Sequence, residues 1–297
     1  MIRFLPVERV HRPSRATFDA ALSRPRRPGV LTGRVADWPA MARWSRQYFK
    51  ERIGAVEVPV EVRAPGLPRG YFHADREKGF IVRQMTVAEM IDVMDSTPEP
   101  EYYMRGVSIR RQAPELLADL GPLEYIDAAR HVSENFWVGP RDAISPLHYD
   151  VFDAFLIQIR GRKRVVLFDS RDRWRMYPRS TFSVSPHMSD VYLELGAEPD
   201  YRRFPRLRGA TGYEVVLAPG EMLFIPAGWW HQVWSLDEAI SINYWWKHLP
   251  FRYLHPLSLR LIPGFALKTA RRRLRRLVRR GDSHIQAGSS ISEQHYL

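Results

Sequence analysis

The sequence predicts a mainly β protein, a sandwich or jelly roll with helices packed outside it. Three observations predict this. Between residues 134 and 246 lie seven short runs rich in β-branched and aromatic residues: ENFWVG, DAFLIQI, KRVVLF, YEVVLA, EMLFIPA, HQVWSL and AISINYWW. Turn formers punctuate them at Gly161, Pro219-Gly220 and Asp237. Helical spacing is confined to the flanks.

Taken in order, residues 17–22 and 41–53 carry apolar side chains at helical intervals, and VEVPVEV at 56–62 alternates like a strand. Residues 85–95 read as a further helix, with Thr86 as its cap. From Ser133 onward the period shortens to that of strands. The stretch 170–211 has little regular pattern and is rich in Arg, Pro, Ser and Tyr. Loops of that length are uncommon unless functional, so it is expected to be a substrate lid. After Pro263-Gly264, residues Leu267, Ala270, Leu274, Leu277 and Val278 fall on one face of a basic run, KTARRRLRRLVRR at 268–280. The final residues are polar. The expected organisation is one domain over 1–262, with a mixed N-terminal part (1–130) and a β core (131–250), followed by a basic amphipathic helix and tail over 263–297.

With 297 residues, 45% of them hydrophobic, the chain can bury a sizeable core. No apolar run reaches 18 residues and no hydrophobic leader segment is present, so a cytoplasmic location is expected. The absence of cysteine excludes disulfides, iron–sulfur clusters and thiolate zinc sites, which leaves His, Asp and Glu as metal ligands. The 45 Lys and Arg against 33 Asp and Glu give a net charge of +12, most of it concentrated in 268–280. A basic balance of this kind often meets an anionic partner.

His148-Tyr149-Asp150 precedes a strand candidate, and alternation places residues two apart on one face, so both side chains can address one ion. The pair alone is weak, because His-x-Asp arises readily by chance. His231, at the start of a strand after PGEMLFIPAGWW, completes a set of two histidines and a carboxylate. That set suits non-haem iron(II), with open positions for a co-substrate and dioxygen. Zinc accepts the same ligands but needs only one open position for catalysis.

The motifs WVGPRDAISPLHYD, FLIQIRGRKRVVLFD and LAPGEMLFIPAGWWHQVWSLDEAISINYWW, in that order and spacing, resemble the JmjC and cupin-like 2-oxoglutarate hydroxylases. Among these the chain is similar to the asparaginyl hydroxylase that inhibits hypoxia-inducible factor and to the JmjC arginyl hydroxylases. The resemblance covers 135–246 strongly. It implies a double-stranded β-helix with iron at its open end, held by His148, Asp150 and His231. It also implies 2-oxoglutarate and dioxygen as co-substrates. Lys163 then pairs with the distal carboxylate of 2-oxoglutarate, Ser145 and Tyr103 donate hydroxyls to it, and Asn243 lies beside the co-substrate. Ala154 stands where close relatives often place an asparagine. Phe155, Leu167, Phe224 and Trp245 are expected to wall a dry pocket.

The activity implied is hydroxylation, first of a protein or peptide side chain and alternatively of a tRNA engaged through the basic helix. Histone-type demethylation is disfavoured, since that branch typically carries Glu where this chain has Asp150. A homodimer through the apolar stripe of the basic helix is a further expectation. From a different class, a catalytically silent binding module that kept the fold is the rival reading.

Overall fold

The computed structural model describes residues 1–63, 81–96, 101–183 and 185–247; the basic run at 268–280 and the tail lie outside them. Fourteen strands are present among the described residues. They are β1 (Arg3–Pro6), β2 (Arg9–His11), β3 (Gly29–Thr32), β4 (Glu57–Val62), β5 (Ile81–Thr86), β6 (Tyr102–Ser108) and β7 (His131–Gly139). The chain continues with β8 (Ile144–Tyr149), β9 (Asp153–Arg160), β10 (Lys163–Phe168), β11 (Thr211–Leu217), β12 (Met222–Ile225), β13 (Trp230–Ser235) and β14 (Ala239–Trp246).

They form two sheets, ordered β1-β11-β10-β13-β8 and β2-β3-β12-β9-β14-β7-β6-β4-β5. The chain from β7 to β14 winds between the two, leaving β12-β9-β14-β7 antiparallel in the larger sheet and β11-β10-β13-β8 antiparallel in the smaller. This is the expected double-stranded β-helix. The N-terminal strands extend it. β1 adds in parallel to β11, β2 and β3 continue one end of the larger sheet, and β4 to β6 continue the other.

Alternation along the larger sheet sends one set of side chains outward, where Phe136, Phe155, Phe224 and Trp246 meet Phe18, Leu22, Trp44 and Phe49 from the helical segments. Phe155 and Phe224 therefore do not wall the interior, contrary to expectation. They are one residue out of phase with Ala154, Leu156, Leu223 and Ile225, which meet Val165, Leu167, Val215 and Val233 between the sheets.

The helix expected over 41–53 is two, Pro39–Arg43 and Arg46–Ile53, broken where Trp44 is extended and Ser45 caps the second by accepting from the Tyr48 amide. The helix expected over 17–22 is a single α turn, Arg15–Phe18, running into a π turn, Asp19–Ser23. Thr86 does cap the helix Val87–Ser96, in a reciprocal box with Glu89. Among the described residues no helix is long and apolar enough to cross a membrane.

The insertion expected to be a lid has a core of its own. Met176, Val191, Leu193, Phe204 and Leu207 pack on the outer face of the smaller sheet against Tyr149, Val166, Phe168, Trp230 and Trp234. Gln232 of β13 exchanges hydrogen bonds with the backbone of Leu193, at 2.7 and 3.3 Å. The Ser189 amide donates to Leu147 and the Tyr149 amide to His187, so the insertion also covers the edge presented by β8.

Candidate metal centre

The strand β8 escapes a period-two reading because it carries a bulge. His231 lies opposite His148, but Val233, two residues further along β13, lies opposite Ser145, three residues back on β8. The extra residue falls around Pro146, which has no N–H to give to a ladder. The bulge is what lets Ser145 and His148 share a face despite their odd spacing, and Asp150 follows two residues on. The sequence placed His148 just before a strand; it lies inside one.

One ligand atom each from His148, Asp150 and His231 lie within 4.8 Å of one another, and the two imidazole centroids are 4.2 Å apart. Each imidazole is oriented by its own backbone: His148 Nδ1 donates to the Pro146 carbonyl at 2.7 Å, and His231 Nδ1 to that of Trp229 at 3.1 Å. With Nδ1 carrying the proton, Nε2 keeps its lone pair for a metal. Trp245 Nε1 donates to Asp150 Oδ2 at 3.2 Å and fixes the carboxylate. The loop leading to His231 is tied down as well. The Gly228 amide donates to the Asp150 carbonyl at 2.8 Å, and the Ala227 amide to the carboxylate of Asp153, itself held by Arg26.

Burial, together with the neighbouring rings of His231 and His187, pushes the His148 pKa well down. Burial pushes that of Asp150 up. The first direction leaves His148 a neutral imidazole with a lone pair to give, and the second marks a buried carboxylate whose charge a divalent cation ligated by the three residues would offset.

A second group of polar side chains occupies the interior. Lys163 is only 3% exposed, and its ammonium donates to Ser241 Oγ at 2.7 Å. Among the described residues no carboxylate pairs with it, and burial lowers its pKa to about 7. The Tyr103 ring is buried to the same degree and its hydroxyl is hydrogen-bonded with Ser145. Tyr103 lies across β7 at Gly139, where a Cβ would come within 2.5 Å of the ring. Tyr102, on the opposite face, packs against the outer core. Among the described residues, Asn243 Oδ1 and Trp137 Nε1 are buried and find no hydrogen-bond partner.

A buried cation, several hydroxyls and an unsatisfied amide in one interior fit the anionic co-substrate that the resemblance implies, because a dianion leaving water needs such donors. The order along β14 links the two groups. Ser241 meets Lys163, Trp245 meets Asp150, and Asn243 lies between them at two-residue steps. Ala154 is buried opposite Trp245 and beside Ile225, so it contributes an apolar wall and no amide.

Sequence reasoning missed Ser241, Trp245 as a positioning group, and Arg105. Two-residue steps from Asn243 and from Tyr103 would have found them. Arg105 pairs with buried Glu61 at 2.9 Å, lies over the Trp137 ring at 5.8 Å, and bears electrostatically on Tyr103, His148 and Asp150. Despite that pairing, burial raises the Glu61 pKa to about 7.

The model of the cupin-like domain family matches residues 15–251. Lysine-specific demethylase 8 of Xenopus tropicalis is 33% identical over 247 residues, 81% of this chain and 53% of that protein. The tRNA wybutosine-synthesizing protein 5 of Gallus gallus is 32% identical over 239 residues, 76% of this chain and 72% of that protein. The human bifunctional peptidase and (3S)-lysyl hydroxylase JMJD7 is 26% identical over 251 residues, 75% of this chain and 78% of that protein. The chain thus spans about half the length of the first of these relatives and about three quarters of the other two.

Proposed function

This chain belongs to the cupin-like domain family, and from that premise we propose that it is an iron(II)- and 2-oxoglutarate-dependent hydroxylase of a macromolecular substrate. The observation that carries the reading is a buried lysine that has no carboxylate partner among the described residues, in the same interior as a cluster of two histidines and an aspartate. Iron(II) with 2-oxoglutarate and dioxygen supplies the oxidation of a substrate C–H bond, with succinate and carbon dioxide as by-products.

The protein does the rest through position. His148, Asp150 and His231 hold the metal, their orientations set by the Pro146 and Trp229 carbonyls and the Trp245 indole. Lys163 would neutralise the distal carboxylate of 2-oxoglutarate, Tyr103, Ser145 and Ser241 would offer it hydroxyl donors, and Asn243 would offer its amide to the co-substrate. Leu156, Val165, Leu167 and Val233 keep bulk water out of the interior.

A protein or peptide side chain is the first substrate class, in keeping with the lysyl hydroxylase relative. A tRNA is the second, favoured by the relative named for wybutosine synthesis and by the net charge of +12. Demethylation, the activity in the name of another relative, would release formaldehyde and is distinguished by that product.

The test is succinate formation by protein purified without oxygen, given iron(II) and 2-oxoglutarate and then air, beside a His148→Ala control. Succinate from the wild type alone supports the proposal, and equal succinate from His148→Ala sinks it. Failure of the wild type to bind either iron(II) or 2-oxoglutarate would transfer the reading to a silent binding module.

A further inference from the structure

The insertion between β10 and β11 carries eight arginines and no lysine over residues 170–211, against five acidic residues, Asp172, Asp190, Glu194, Glu198 and Asp200. Arg171, Arg175 and Arg179 take carboxylate partners. Arg202, Arg203, Arg206 and Arg208 are exposed, and among the described residues none forms an ion pair. The carboxylate of Asp200 is turned to the backbone amides of Arg202 and Arg203, at 3.0 and 3.1 Å. Arg175 draws the cluster together by donating to the carbonyls of Arg206 and Arg208, both at 3.1 Å. Four like charges within seven residues repel one another unless a polyanion meets them.

The geometry of these arginines is specific. The guanidinium of Arg206 lies 4.1 Å over the Tyr177 ring, that of Arg208 4.9 Å over Tyr201, and that of Arg203 5.1 Å over Phe204. A guanidinium laid on a ring keeps its in-plane N–H groups free for a phosphate and its outer face free for a base. Phe182 (67% exposed) and Trp174 (56% exposed, beneath Arg173), in the same insertion, add exposed aromatic surface of the kind on which unpaired bases stack. A peptide finds less here: the edge of β8, where an added strand would dock, is already covered by residues 187–189.

The register places this face. Tyr213, near the start of β11, is level with Leu167, and Leu167 with His231, so residues 201–210 join the barrel at its metal-bearing end. Exposed Arg3, whose amide donates to the Ala210 carbonyl at 3.0 Å, adjoins them.

We propose that Arg202, Arg203, Arg206 and Arg208, with Tyr177 and Tyr201, form a docking surface for the phosphate backbone of an RNA, beside the mouth of the metal centre. The proposal rests on the RNA reading of the substrate, and its test is kept separate from catalysis. The affinity of the full-length protein for bulk tRNA is measured by fluorescence anisotropy across a salt series, beside a variant with all four arginines changed to alanine and one with all four changed to lysine.

The alanine variant is expected to bind at least tenfold more weakly, with a salt dependence shallower by about three phosphate contacts. The lysine variant is expected to keep the salt dependence and lose part of the affinity. Succinate formation without substrate is expected to be unchanged in both, which separates this proposal from the oxygenase reading. Equal tRNA affinity in all three proteins overturns the proposal. So does loss of binding only on deletion of 265–280, preference for polyglutamate over tRNA, or no tRNA binding by the wild type.

Discussion

The ammonium of Lys163 on β10 reaches across the interior to Ser241 on β14, at 2.7 Å, and among the described residues no carboxylate accompanies it. Its pKa falls to about 7 through burial, from an ordinary 10.5. Between those values the unfolded chain binds the proton that the folded chain has lost, so the ligand-free protein becomes more stable as pH rises from about 7 to about 10.5. Below about 7 both forms are protonated and the cost of burying the charge is fully present. A bound dianion reverses this by restoring the proton. Binding of 2-oxoglutarate at pH 8 is therefore expected to take up a proton, measurable by calorimetry in two buffers of different ionisation enthalpy. Lys163→Met is expected to abolish both the uptake and most of the affinity. Uptake that persists in Lys163→Met would assign it to another group.

Metal binding is expected to stabilise the fold, because His148, Asp150 and His231 converge only when β8 and β13 are paired. A cation that binds the folded form at a hundred times its Kd adds about 2.7 kcal/mol. Manganese(II), an air-stable substitute, should raise the thermal midpoint of the wild type and leave that of Asp150→Ala or His231→Ala unmoved. Trp245→Phe removes only the indole that orients Asp150, so it should weaken manganese binding roughly tenfold without abolishing it. Wild-type affinity in Trp245→Phe would deny the indole its positioning role.

The metal cluster was legible because its parts are local: a two-residue step puts His148 and Asp150 on one face, and a turn-rich unit brings His231 back. The strand holding His148 was not, since the bulge at Pro146 breaks the alternation by which strands are read. Phe155 and Phe224 were assigned to the wrong face for a related reason. In strands buried on both sides, such as AFLI of β9 and MLFI of β12, consecutive residues are apolar, and the phase is set only by what the helices cover. The insertion reads in the sequence as a long patternless loop because its apolar residues follow no period. They are gathered instead by irregular turns onto the outer face of the smaller sheet.

Tyr103 and Gly139 make a joint prediction about the co-substrate. Tyr103→Phe removes the hydroxyl that is hydrogen-bonded with Ser145 and that, in the proposed site, would donate to the carboxylate of 2-oxoglutarate, and a hydrogen bond to a charged group contributes about 1.5–3 kcal/mol. Its Kd for 2-oxoglutarate should rise tenfold or more while manganese affinity stays unchanged. Gly139→Ala should act on the same measurement through position, because the new methyl would fall within 2.5 Å of the Tyr103 ring and displace it. Tyr103→Phe/Gly139→Ala should then be little worse than Gly139→Ala alone. Full additivity of the two losses would mean that the glycine serves something other than the tyrosine.

Asp153 and Arg26 carry the last prediction, which concerns asymmetry. The carboxylate is fully buried, while the guanidinium that grips it, at 2.5 and 2.8 Å, is 20% exposed. Removing the arginine strands a charge without access to water, at a cost of about 3–5 kcal/mol. Removing the carboxylate leaves an arginine whose long side chain can turn to solvent, so that loss should be smaller. It should nevertheless reach the metal centre, since Asp153 also accepts from the Ala227 amide in the loop that delivers His231. Urea unfolding should show Arg26→Ala as the more destabilised, and manganese titration should show Asp153→Ala with impaired binding out of proportion to its stability. The reverse order in unfolding would mean that Asp153 is held chiefly by its backbone contacts and that the ion pair adds little.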